Sequence, residues 1–161
     1  MKAFDNVISA AIFLALALTA TATWAADQAS GFVSATPTEL KWSDAPAIGP
    51  GVKLAMIEGD MKAAGPFTMR IKLPPKTRIA VHTHPLVEHV TVLSGTFYFA
   101  TGEKFEAAKA KVYPAGGFLA IPKGMPMFAF TKDKEATIQV HGIGPWGIDY
   151  FSAEDAPSKK K

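Results

Sequence analysis

All 13 glycines and all 12 prolines of this 161-residue chain lie between positions 31 and 157. That is about one residue in five over the stretch. Long helices do not survive such a density, because Pro removes a backbone donor and Gly costs ~1 kcal/mol per helical position. The runs between these punctuators are short, and several alternate. Phe67-Thr68-Met69-Arg70-Ile71-Lys72-Leu73 is apolar at every second position, the pattern of a strand with one face buried. Further strands are predicted over 52–57, 78–82, 89–93, 96–100, 118–121, 127–131 and 137–141. Turns fall at Glu58-Gly59-Asp60, Pro74-Pro75, Ser94-Gly95, Thr101-Gly102, Pro114-Ala115-Gly116-Gly117 and Lys132-Asp133-Lys134. Only 103–111 has the composition for a helical turn or two. Eight short, closely spaced strands predict an all-β sandwich or barrel in a single domain.

The formal charge of +3 does not point to nucleic acid. Lys159, Lys160 and Lys161 supply three positive charges, and Lys2 offsets Asp5. The rest of the chain is neutral, with too small an electrostatic footprint for a phosphate backbone. There is no cysteine, which excludes thiol catalysis, disulfide staples, zinc knuckles and iron–sulfur clusters.

Residues 1–25 differ from everything that follows. Lys2 precedes an apolar run over 7–18, and small residues lead to Thr23-Trp24-Ala25 before Ala26-Asp27. A dozen apolar residues are too few to span a bilayer, where ~20 are needed, and they suit a secretory signal with cleavage after Ala25. The expected organisation is a signal peptide at 1–25, an extended leader at 26–39, a barrel at 40–151 and a basic tail at 152–161. The cleaved protein is then periplasmic or secreted, with no membrane insertion.

Three of the four histidines fall within eight positions: His82, His84 and His89, with Glu88 among them. Side chains alternate along a strand, so His82 and His84 share a face. Pro85 ends that strand, and Glu88 opens the next with Val90 and Val92 on its own face. A strand, a reversal and a neighbouring strand bring two imidazoles and one carboxylate to one place. Such a set with open positions suits Fe(II) and also accommodates Mn, Ni, Zn or Cu. His89 has the opposite parity to Glu88 and is expected to point away.

The stretch His82-Thr83-His84-Pro85-Leu86-Val87-Glu88, followed by six residues and Gly95, resembles the first motif of the cupin superfamily. Gly116, five residues, Pro122-Lys123-Gly124 and two more residues resemble the second. The likeness runs from about Val52 to Phe151 and is nearest to small, exported, single-domain bacterial cupins. It implies a jelly-roll β-barrel, commonly a homodimer, with one divalent transition metal near its centre. By that resemblance His82, His84 and Glu88 match three ligands. The fourth position, usually histidine, holds Met127, and a later asparagine is replaced by Thr131.

Met127 has two readings: a thioether that fills a core gap, or a soft fourth ligand that favours copper. Gln139 and His141 share one face of the last long strand, opposite Ile138 and Val140. They lie either beside the metal as supporting groups or on the outer surface. Gly142-Ile143-Gly144-Pro145-Trp146-Gly147 is a turn around a buried or rim aromatic, not a phosphate loop. The implied functions are a metalloenzyme of dioxygenase, isomerase or lyase type on a small polar molecule, a non-catalytic metal or small-ligand binding module, or a barrel that has lost its metal.

Overall fold

The computed structural model describes residues 31–157; the signal-peptide reading of 1–25 and the last four tail residues lie outside them. Eleven strands form two antiparallel sheets. They are β1 (Ser43–Asp44), β2 (Lys53–Glu58), β3 (Gly65–Leu73), β4 (Arg78–Thr83), β5 (Glu88–Ser94), β6 (Thr96–Thr101), β7 (Lys111–Pro114), β8 (Phe118–Ile121), β9 (Met127–Phe130), β10 (Ala136–Gly144) and β11 (Asp149–Tyr150). One sheet has the order β1-β2-β3-β10-β5-β8 and the other β11-β4-β9-β6-β7. This is a double-sheet jelly roll: the all-β sandwich or barrel that the strand pattern predicts, in the form that the family resemblance implies.

The alternation in β3 does what its spacing requires. Phe67, Met69, Ile71 and Leu73 are buried, while Thr68, Arg70 and Lys72 face outward. Across the ladder Ile138 and Val140 of β10 are buried too, as are Val90 and Val92 of β5. Each such side chain contributes ~1.5–3 kcal/mol relative to exposure, so the core lies between the sheets. A smaller cluster of Val81, Ala100 and Phe128 sits on the other side of the second sheet. The stretch predicted to turn helical covers it: a single 3-10 turn at Ala107–Lys109 follows Phe105, whose ring packs on Phe128 at 4.5 Å between centroids.

Three strands escaped the sequence pattern. β1 and β11 have two residues each, and β7 buries no side chain, so none carries an alternation signal. They occupy the sheet edges.

One irregularity matters for the site. Ile79 pairs with Ala129 and His82 pairs with Met127, so β4 carries one extra residue between them. In a regular strand residues three apart face opposite ways. The bulge re-aims the backbone, and both Ile79 and His82 line the interior cavity. Sheets pack about 10 Å apart, and the His–Glu cluster lies in that gap near one end.

Candidate metal centre

β4 delivers His82, the residue just past its end is His84, and β5 opens with Glu88. All three are buried, at 5 %, 3 % and 5 % exposure. Together with Met127 at the start of β9 and Trp146 they line a partly open cavity of about 40 Å³. By the size of one water-sized occupant, that is room for about three. The rest of the wall is aliphatic and aromatic, including Ile71, Val90 and Phe97. The four residues singled out in the sequence therefore meet in one chamber.

Both imidazoles are held through the nitrogen that faces the backbone. His82 Nδ1 donates to the Ala80 carbonyl at 2.6 Å, and His84 Nδ1 donates to the Gly147 carbonyl at 2.5 Å. Each ring thereby keeps Nε2 for the cavity side, the arrangement that fixes a ligating tautomer. The ring centroids lie 4.9 Å apart in an edge-on pair. His84 Nε2 is 2.9 Å from Glu88 Oε2. Trp146 donates its indole N–H to the same oxygen at 2.6 Å and stacks on His84 at 5.0 Å. Tyr150, the register partner of His82, lies with its ring 5.8 Å from it.

The two histidines differ electrically. Burial pushes His82 down to about 4; the Ala80 carbonyl opposes this, the charge on His84 adds to it, and Glu88 opposes it again. Burial also pulls His84 downward, but its hydrogen bond to Glu88, the Glu88 charge, the Gly147 carbonyl and Asp149 outweigh it, and the net direction is up. Burial thus favours a neutral His82 with a free Nε2 lone pair, beside a His84 whose protonated form is favoured by its bond to Glu88. Among the described residues no group of three or more His, Asp or Glu side chains stands in metal-binding geometry. Chemically the donors fit a divalent transition ion, with two oriented imidazoles, one carboxylate and a soft sulfur at the wall.

A profile of the ChrR cupin-like domain matches residues 30–141. The chain belongs to that family. The cupin fold also agrees with solved structures of low sequence identity. The polyketide cyclase RemF from Streptomyces resistomycificus matches at TM-score 0.65 and 14 % identity, over 78 % of this chain and 89 % of that one. An RmlC-like cupin from Ralstonia eutropha gives 0.58 and 13 %, over 79 % and 77 %. An oxalate oxidase gives 0.54 and 17 %, over 80 % and 67 %. No curated protein matches the chain in sequence.

Several side chains of this cupin fall where the sequence left a choice. His89 points away from Glu88, onto the outer face of the first sheet. Gln139 and His141 do the same, which corrects the reading that placed them beside the metal. Ile138 and Val140 are needed to complete the core, so the alternate residues must face out. Gln139 accepts a hydrogen bond from Arg70 Nε at 3.2 Å instead. Thr131, at the asparagine position, accepts from the Thr77 amide at 3.0 Å and donates to the Pro74 carbonyl at 2.6 Å, clamping a loop away from the cavity. Trp146 is the functional side chain that the sequence pattern undervalued: its turn was legible, its bond to Glu88 was not.

Proposed function

We propose that this chain is an exported metal-binding cupin in which His82, His84 and Glu88 hold one divalent transition ion that engages a small polar molecule. The observation that carries the reading is the pair of carbonyl-anchored imidazoles, each turning Nε2 to an apolar chamber that also contains Glu88. Holding the ion would require His84 Nε2 and Glu88 to give up their mutual hydrogen bond and offer both donors to it. Met127 lines the wall at the register position of His82. The export reading rests on the pattern of residues 1–25 alone, and a homodimer on the family resemblance alone.

A bound ion of this kind polarises a carbonyl or acidifies a bound water. Around it the chain supplies orientation and exclusion of water. The ionisable groups among the described lining residues are His82, His84 and Glu88, so no separate general base stands free. The chamber admits only a few non-hydrogen atoms unless its walls move. That small volume favours a second reading, a metal or small-ligand binding module without turnover. The fold is shared with a cyclase and an oxalate oxidase, and a fold by itself does not choose between turnover and binding.

The test is elemental analysis of the protein purified from its own compartment, beside the His84→Ala variant. About one equivalent of a transition metal in the parent and a clear loss in the variant is the expected result. Parent protein that stays without metal, and takes up none on dialysis against Mn²⁺, Fe²⁺, Zn²⁺ or Cu²⁺, overturns the reading.

A further inference from the structure

The six-stranded sheet carries a second histidine cluster on its outer face, unrelated to the interior chamber. His141 of β10 and His89 of β5 are direct partners across an antiparallel ladder. Their rings stack at 4.9 Å between centroids and 13° between planes. Phe118 extends the stack at 6.0 Å from His89. Both Nδ1 atoms are buried without a hydrogen-bond partner, and among the described residues they are the only buried side-chain nitrogens or oxygens in that position. Buried polar atoms are nearly always partnered, so two adjacent exceptions call for an explanation.

The surroundings supply one. The pair lies in an open groove of about 540 Å³ with Glu58, Thr68, Val87 and Ile143, and neither Lys nor Arg is in its lining. Glu58, Thr68, His141 and His89 form one cross-strand row, each the partner of the next. A carboxylate therefore shares the groove, and no cation competes with an incoming one. Directly opposed side chains on a sheet have Cβ atoms ~5 Å apart. Two imidazole nitrogens each ~2.0–2.1 Å from one ion need a separation of about 3 Å, so binding requires the stacked rings to turn toward a common point.

We propose that His89 and His141 form a second, shallow metal site for a borderline divalent ion such as Cu²⁺, Ni²⁺ or Zn²⁺, completed by water. Imidazole donors suit these ions, and Cu²⁺ leads the affinity order. Neighbouring residues Glu88 and His89 face opposite sides of β5, so this site and the interior one are separate and stand or fall independently.

Cu²⁺ titration of the full chain, followed by equilibrium dialysis and electron paramagnetic resonance, tests the proposal. Three variants accompany the parent: His89→Phe, His141→Ala and His84→Ala. His89→Phe keeps the stacked ring against Phe118 and His141 but removes the donors. Both outer residues are only partly buried, so circular dichroism should match the parent. The expected result is loss of one Cu²⁺ equivalent, with its nitrogen hyperfine signature, in His89→Phe and in His141→Ala alike, while His84→Ala retains that equivalent. Paramagnetic broadening of the His89 and His141 ring signals by substoichiometric Cu²⁺ gives a second readout. Unchanged stoichiometry and spectrum in both outer variants overturns the proposal, even if His84→Ala loses the interior ion. Loss in the outer variants with no effect of His84→Ala supports it and removes the interior reading instead.

Discussion

Trp146 makes the sharpest demand on the interior site. Its indole N–H ends 2.6 Å from Glu88 Oε2, and its ring stacks on His84. The acceptor is a buried carboxylate whose other partner is His84. Trp146→Phe retains an aromatic ring and deletes the donor. A hydrogen bond to a charged group contributes ~1.5–3 kcal/mol, and leaving a buried acceptor short of a partner keeps the loss near the top of that range. With ~2.1 cal/mol/K per residue, the 127 described residues give a melting entropy of about 0.27 kcal/mol/K. A loss of ~3 kcal/mol then lowers Tm by about 11 °C. Ring shrinkage adds a packing cost, which a double-mutant cycle with Glu88→Gln removes. Calorimetric melting of the four proteins should show coupling of at least ~1 kcal/mol between positions 146 and 88. In chelator competition, Trp146→Phe should bind the interior metal roughly 10- to 100-fold more weakly, the usual effect of losing an outer partner of a ligand. Coupling within ~0.3 kcal/mol of zero, together with unchanged metal affinity, would refute the assignment of Trp146 as the group that positions Glu88.

Stability should fall in acid through His82. Its value in the fold is about 4 against 6.5 for the ordinary side chain, so its neutral form is favoured by folding. That contribution is complete above pH 6.5 and is lost progressively toward pH 4, for a total of about 3 kcal/mol; urea unfolding at stepped pH should show this limb in the parent and a flatter one in His82→Gln. His84 shifts the other way, so its contribution is complete below pH 6.5 and fades as pH rises past its raised value. Met127→Leu should cost under ~1.5 kcal/mol if the thioether only fills space, with Cu(I) affinity unchanged by competition titration, while Met127→His should raise Mn²⁺ and Fe²⁺ affinity; a Cu(I) loss confined to the Leu variant would make the sulfur a ligand. Gly95 turns the chain from β5 into β6 at φ +74°, and an added Cβ would collide with the Glu135 carbonyl oxygen. Gly95→Ala should therefore destabilise by more than ~2 kcal/mol, since left-handed strain alone costs ~1–2 kcal/mol; a melting curve within 2 °C of the parent would contradict that geometry.

How much of this was legible beforehand depends on the range of the signal. The alternation in 67–73 is local, each buried residue two positions from the next, and it matches β3 residue by residue within its longer span. The choice at 137–141 was not local. Ile138-Val140 and Gln139-His141 alternate equally well, and only the core between two sheets decides which pair turns inward. The short edge strands β1, β7 and β11 hold too few buried side chains to leave a period at all. Trp146 is a case of distance in sequence: it lies 58 residues from the carboxylate it binds, and no pattern within either segment encodes the pairing.

The bulge in β4 shows why a sound local rule can still omit the decisive feature. Parity places His82 and His84 on one face, and both do line the chamber. Yet the same parity applied backward from His82 would turn Ile79 away from that chamber, and Ile79 lines it as well. The extra residue between Ile79 and His82 reconciles the two. β4 thereby contributes Ile79 to the apolar wall and His82 to the histidine end of the chamber, and the Ala80 carbonyl stands 2.6 Å from His82 Nδ1. That carbonyl accepts from Nδ1 and so holds the tautomer of His82, with Nε2 left for the cavity. The His-x-His spacing sets which face the two imidazoles share, whereas the irregular stretch between Ile79 and His82 is where His82 meets the carbonyl that holds its ring.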